Sequence, residues 1–504
     1  MPVTIDAPGS ALSAEQLAER LGATGAEGIR RALGDLIASG ALPPGARLPT
    51  IRAVAGALGA SVGAVADAWS ELRREGLLET RRRGGTIVAA RPAERPAADP
   101  RGMVTLAGAR PDPALLPRLD AALAAALEGD AGLSSRTPIV PALRDAVAAR
   151  FGARGAEMIA AAGAASAMHL VLSELARGSG DGRVPLAAVM KAGFGQEVGH
   201  DPGRPAGEVG MRGADVPLAA VAGAGFGQEV GHQPGEVAVA IEDPTCNRNR
   251  GILAGLGARP VPFASDAEGP VVEAVRDALA AEPAVVTFQT AAAVPLGSTL
   301  TPRRRDALAD ALAGSGAWIV EEHSAGGLVD GATLADVLPE RVIRVIDLSR
   351  GYGPRLQTAV VIGPAAALER IAARQAREGA RPNPLLQGAL ARVMADAGPV
   401  VAHAARVYRA RGAALHRALA ARGVRAAGDG GFFAWVAVRD ERDALLALAE
   451  EGIAASAGSR GTFAPGEPRI RIATTRLPDD AAEIGALADA IARAAEWQLT
   501  TEDE

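Results

Sequence analysis

Apolar positions recur at helical spacing through the first seventy or so residues and then change period. From Glu27 to Ser39 the run EGIRRALGDLIAS sets Ile29, Leu33, Leu36 and Ile37 on one helical face, and Gly40 stops the pattern. After the turn ALPPGARLP, Thr50 is placed to cap a short second helix, IRAVAGALG. Ser61 is placed to cap a third, VGAVADAWSELRREG, with Val65, Trp69 and Leu72 inward. In LLETRRRGGTIVAA two short extended pieces, Leu77-Leu78 and Thr86 to Val88, flank a basic, glycine-bearing turn at Arg81 to Gly85, which predicts a hairpin. Three helices and a hairpin make a winged helix-turn-helix, in which one helix reads base edges in the major groove and an arginine-bearing wing contacts phosphates or the adjacent minor groove.

Residues 90–102, ARPAERPAADPRG, lack an apolar period and carry proline, alanine and charge, so they predict an extended linker between a head at 1–89 and a body at 103–498. In the body, strand-like runs (VAVAIEDP, AVVTFQT, WIVEE, VIRVIDLS) alternate with helical stretches rich in alanine and leucine. That alternation predicts an α/β fold with a mainly parallel central sheet.

The length of 504 residues exceeds what one hydrophobic core usually serves and fits a small head on a large body. A net charge of -5 gives no global positive field, so any contact with nucleic acid must be local. The single cysteine, Cys246, excludes an internal disulfide framework. MPVTIDAPGS has no basic segment followed by an apolar run, and no stretch reaches the roughly 18 apolar residues needed to cross a bilayer, so a cytoplasmic protein with no membrane partner is expected.

The run GALPPGARLPTIRAVAGALGAS through ELRREGLLETRRRGGTIV closely resembles the winged-helix head of GntR-family regulators. The resemblance implies that Arg47, Thr50, Arg52 and Ser61 approach the phosphates of a double-stranded operator. It also implies that Arg81, Arg82, Arg83, Gly84, Gly85 and Thr86 form the wing. Taken singly, each arginine reads equally well as a solvated surface side chain. Val62 and Ala64 depart from the family, which usually has an arginine and a hydroxyl residue there. The loss of one charge-assisted contact costs roughly 1.5 to 3 kcal/mol.

Further along, IEDPTC, VPFASDAEGP, VPLGSTLTPRRRDAL, IVEEHS, SRGYGPRLQ and RIRIATT, in that order, resemble fold-type I aminotransferases. A GntR head fused to such a body is the MocR architecture, and the resemblance covers about residues 25 to 495 apart from one insertion. It implies a homodimer whose body senses a small molecule, usually through pyridoxal phosphate.

Pyridoxal chemistry needs an amine for the Schiff base, a carboxylate for the pyridinium proton, and cationic or hydroxyl groups around the phosphate. By the resemblance the lysine position is Arg350, whose guanidinium stays protonated and cannot be that amine. The sole lysine of the chain, Lys191, lies in VMKAGFGQ, which does not resemble a Schiff-base segment. Gln357 stands where the family has a phosphate-binding arginine, and Asp347 where a hydroxyl is usual. A carboxylate about 4 Å from a phosphate charge costs on the order of 4 kcal/mol at an effective dielectric near 20. The pyridine-nitrogen carboxylate maps to Glu321, followed by Glu322 and His323. Val294 supplies no polar group beside the ring oxygen, and Arg471 matches the substrate-carboxylate arginine. The pocket is thus expected to be degenerate, with no catalytic residue and pyridoxal phosphate binding doubtful. Arg350 and Arg471 together suit a small dianionic effector; equally, Arg350 pairs internally with Glu321 or Asp347. A working pyridoxal enzyme with an accessory DNA-binding head, or a decayed copy with neither activity, are the other readings.

Residues 184–203 recur as 216–235 with 17 of 20 positions identical, within a duplicated insertion at about 179–235. Each copy has a glutamate and a histidine three apart, Glu197 with His200 and Glu229 with His232. The glycines around them oppose a sustained helix, and no metal site is expected.

Overall fold

The computed structural model describes residues 13–38, 42, 46–74, 77–81, 85–88, 103–128, 138–176, 237–379, 382–428 and 430–497. The linker, the wing-tip residues Arg82, Arg83 and Gly84, and the duplicated insertion with Lys191 lie outside the described residues.

The head starts one helix earlier than the amphipathic pattern indicated. Helix α1 (Ala14–Leu21) opens with a capping box in which Ser13 and Gln16 bond each other's backbone, and it buries Leu17 and Leu21. Helices α2 (Ala26–Ala38), α3 (Ile51–Leu58) and α4 (Val62–Arg74) follow. Thr50 Oγ1 accepts from Ala53 N at 3.3 Å and Ser61 Oγ from Ala64 N at 3.1 Å, so each hydroxyl closes a first turn. Ile29, Leu33, Val54, Val65, Trp69 and Leu72 meet in one core with Leu78 and Val88 of the hairpin.

Strands β1 (Leu78–Arg81) and β2 (Gly85–Val88) pair antiparallel, with Leu78 opposite Val88 and Arg81 opposite Gly85. The segment read as a plain turn before α3 also joins them. Arg47 bridges Ile87, Leu48 N donates to Thr86 O, and Val88 N donates to Ala46 O, both at 2.9 Å. The wing is therefore tied to the entry of the helix-turn-helix.

Beyond the short β3 (Val104–Thr105), the body is built on a sheet that among the described residues has eight strands. These are β4 (Glu157–Ala161), β5 (Ala238–Asp243), β6 (Arg259–Asp266), β7 (Gly269–Pro270), β8 (Val285–Gln289), β9 (Trp318–His323), β10 (Val342–Asp347) and β11 (Ala359–Gly363), in the order β4-β11-β10-β9-β8-β5-β6-β7. The central five, β10, β9, β8, β5 and β6, run parallel, while β11 is antiparallel to both its neighbours and β7 to β6. Parallel strands buried on both faces read as the nearly continuous apolar runs seen in the sequence.

The first face is covered at one end by α5 (Asp120–Glu128) and α6 (Pro141–Phe151). The opposite face carries α7 (Gly163–Leu175) and α8 (Asn247–Leu256), and α9 (Val272–Leu279) and α10 (Pro302–Leu312) cover the other end of the first face. After β10 comes the short α11 (Ser349–Tyr352). Then α12 (Ala365–Glu378) joins α7 and α8, α13 (Pro384–Asp396) joins α6, and the 23-residue α14 (Gly398–Ala420) leads to a second layer. That layer pairs β12 (Ala426–Ala427), β13 (Phe433–Ala437), β15 (Ser456–Ala457) and β16 (Arg469–Ala473) in an antiparallel sheet. Helices α15 (Glu441–Glu450) and α16 (Ala481–Glu496) lie on it over Val436, Ile470 and Ile472, and β14 (Ile453–Ala454) pairs with β3. The body's division into two sheets was not legible in the sequence, because short antiparallel pieces look like loops.

Candidate functional site

In the head, the sequence-predicted contact residues sit where chain direction changes. Arg47 lies on the strand piece beside the wing, Thr50 and Arg52 at the start of α3, and Ser61 just before α4; all four are exposed. Arg30 and Arg73 are used within the head, Arg30 on Glu27 at 2.5 Å and Arg73 on Thr80 at 3.1 Å and Ser70 at 2.9 Å. Arg47 and Arg52 form no ion pair with another described residue. Gly85 has φ +73, a left-handed conformation that costs glycine nothing at the end of a tight hairpin. Val62 is 49% exposed in the first turn of α4, an apolar side chain at a helix start facing water.

At the C-terminal end of the parallel strands, the second face of β9 gathers a buried polar cluster. Glu322 is fully buried, pairs with Arg248 of α8 and accepts from Asn249 Nδ2 at 2.9 Å. Burial, the largest single influence, works against the Arg248 charge, but Glu322, Cys246 and Asp347 together hold the guanidinium's pKa above its ordinary value. Arg350, in α11, donates to Ser324 O at 3.1 Å, and its guanidinium lies over the Phe432 ring at 4.8 Å. Burial pulls the Arg350 pKa down, and Asp347 is the leading group that opposes the shift. Asp347 itself is occupied in capping α11, accepting from Ser349 N at 2.9 Å. Nearby, Glu242 accepts from Gln289 Nε2 at 2.7 Å and Gln289 N at 3.1 Å. Burial pushes the Glu242 pKa up to about 8, so at neutral pH it holds its proton.

Glu321 and His323 do not belong to this cluster. Side chains alternate across a strand, so both point to the first face of the sheet. There Glu321 accepts from Thr333 Oγ1 and from Leu334 N at 2.6 Å, and the His323 ring meets Phe151 edge-on at 5.3 Å. The acid that shares a face with Arg350 is Glu322, one residue from the expected one. Two adjacent glutamates cannot be told apart in a sequence without the register. Of the internal partners foreseen for Arg350, Asp347 lies on its side and Glu321 does not. Val294 is buried in the core, its backbone bonded to Gln289, and Gln357 is exposed at a left-handed position with φ 39. Arg471 lies over Phe433 at 4.7 Å and donates to Ala107 O at 3.3 Å. Sequence reasoning passed over Arg248, Asn249 and Glu242; the polar run TCNRNRG following a strand was the available signal.

Residues 25–88 match the model of the bacterial regulatory proteins, gntR family. Over 61 residues, 12% of this chain, the protein is 46% identical to the HTH-type transcriptional regulator Rv1152 of Mycobacterium tuberculosis (strain ATCC 25618 / H37Rv), and it spans about half (50%) of that curated relative. The structure is similar to LysN, an α-aminoadipate aminotransferase of Thermus thermophilus (TM-score 0.61, 18% identity, 80% of this chain and 96% of that one). It is similar also to the kynurenine aminotransferase of Pyrococcus horikoshii (TM-score 0.60, 18% identity, 78% and 90%). Residues 25–88 thus match the gntR family, and the body has the fold seen in these aminotransferases.

The buried cluster of the body gathers Glu322, Arg248, Asn249, Asp347 and Arg350. No lysine occurs among the described residues, and an arginine already bonded to Ser324 and stacked on Phe432 occupies the end of β10. Glu322 is spent on Arg248 and Asn249. These side chains do not fit a covalently held pyridoxal phosphate. Among the described residues, no helix is long and apolar enough to cross a membrane.

Proposed function

We propose that the protein is a cytoplasmic transcriptional regulator: its head binds double-stranded operator DNA, and its body dimerises and responds to a small anion without Schiff-base chemistry. The observation that carries this reading is the match of residues 25–88 to the GntR family on a fold that presents Arg47, Thr50, Arg52 and Ser61 to solvent. A dimer would set two heads on paired half-sites, as two-fold regulators do. The backbone of Arg81 beside Gly85 supports a wing role for the Arg81 to Thr86 turn.

The protein's net charge of -5 means that binding must come from this local patch, so affinity falls steeply with salt. Fluorescence anisotropy of the full chain on a genomic-fragment library, read between low and physiological salt, tests the DNA half. Selection of a sequence with paired half-sites supports it, and salt-independent or absent binding overturns it. An absorbance titration with pyridoxal phosphate tests the body. No saturable band near the visible edge is expected, and such a band would restore the enzyme reading.

A further inference from the structure

The first face of the central sheet carries two apolar clusters, and a polar gap separates them. Ile346 of β10 belongs to the cluster under α6 and α13, while Val342, four residues earlier on the same strand and face, belongs to the cluster under α9 and α10. Arg344 stands between them. Here a cavity of about 280 Å³ opens, lined by Arg150, Thr290, His323, Asp330, Thr333 and Arg344. That is far more room than one water needs.

The cavity lining leaves donor groups facing its open space. Arg344 is partly buried, donates to Phe151 O at 3.1 Å, and has the charges of Glu321 and Asp336 near it without a direct ion pair among the described residues. Arg150 donates to Gly327 O at 2.7 Å, and its one carboxylate partner among the described residues, Asp330 at 2.9 Å, has a side chain 74% exposed. An ion pair that open to water contributes little. His323, 5% exposed, has an Nε2 without a hydrogen-bond partner among the described residues. A buried polar atom left unpaired costs stability unless something fills the space.

We propose that this cavity is a binding site for a small organic carboxylate, which pairs with Arg344 and Arg150 and takes the free nitrogen of His323. The planar guanidinium fork matches a carboxylate's two oxygens. The carboxylate displaces or shares Asp330, which lies on the loop after β9, so occupancy is coupled to that loop. The site lies on the sheet face opposite Glu322, away from the position where an aminotransferase-fold enzyme carries its lysine. It supplies the effector half of the function proposed above and rests on that reading only for the response of DNA binding; the binding itself stands apart from DNA.

Isothermal titration of the full chain with acetate, succinate and inorganic phosphate, in a low-chloride buffer, tests it. At least one carboxylate is expected to bind saturably and more tightly than phosphate, and Arg344→Met to weaken it about tenfold or more. Should Arg344→Met fail to fold, Arg150→Met and the imidazole nitrogen resonances of His323 during a succinate titration report on the same pocket. No saturable carboxylate binding below about 10 mM, a preference for phosphate, or binding that survives both variants and is lost in Arg350→Met would overturn the proposal. Loss of DNA binding with carboxylate binding intact would instead count against the regulator reading alone.

Discussion

The head and the body use arginine in opposite ways. In the head, Arg47 and Arg52 stand in water at chain turns with no ion-pair partner among the described residues. In the body, Arg248 and Arg350 are partly buried, one paired with Glu322 and the other bonded to Ser324 and stacked on Phe432. An exposed guanidinium costs the fold almost nothing and is available to a phosphate. One already bonded inside, as these two are, helps hold the fold together and is less available to an outside ligand. The contrast separates substitutions that change stability from those that change binding.

The largest effect should follow from breaking the buried pair. Glu322→Ala leaves Arg248 without its counter-charge and is expected to cost about 3 to 5 kcal/mol, read as a lower urea midpoint; an unchanged midpoint would show the pair to be dispensable. Next is Glu242, whose folded pKa of about 8 lies above its unfolded value. Below about pH 4.5 the acid is protonated in both states. As pH rises toward 8 the unfolded chain ionises first, so stability is lost across that window. Glu242→Gln mimics the protonated acid and should recover on the order of 2 kcal/mol at pH 8 and little at pH 5, seen as a thermal-midpoint gain confined to the higher pH.

Substitutions in the head should reverse the pattern. Arg52→Ala is expected to weaken DNA binding by about 1 kcal/mol across sequences and to lower the salt slope by about one, with folding stability within about 0.5 kcal/mol. A stability loss larger than the binding loss would erase the contrast. Smallest is Val62→Arg, which replaces an exposed apolar side chain at the start of α4. It should strengthen binding a few-fold and steepen the salt slope by about one, whereas weaker binding would place α4 away from the DNA backbone.

Much of this was legible in the chain itself. Trp69, Val65 and Leu72 at helical spacing, the caps Thr50 and Ser61, and the hairpin about Gly85 specify the head, because each signal is local. Helix α1 was passed over although its capping box stands in the sequence as Ser13 and Gln16. The body's apolar runs announced its strands, yet nothing in the sequence showed that Glu322 rather than Glu321 shares a face with Arg350. Neither the Arg248–Glu322 pair, 74 positions apart along the chain, nor the second sheet left a local mark.

The sequence alone determined which residues are available: one lysine in 504 positions, and helices and strands at readable periods. Only the tertiary structure decided which face each side chain serves. In β9 the period of two sends Glu322 to the arginine cluster and Glu321 and His323 to the cavity side of the sheet, beside Arg344. That choice is fixed by the strand's pairing with β8 and β10 and by the helices lying on each side, which are contacts between distant parts of the chain.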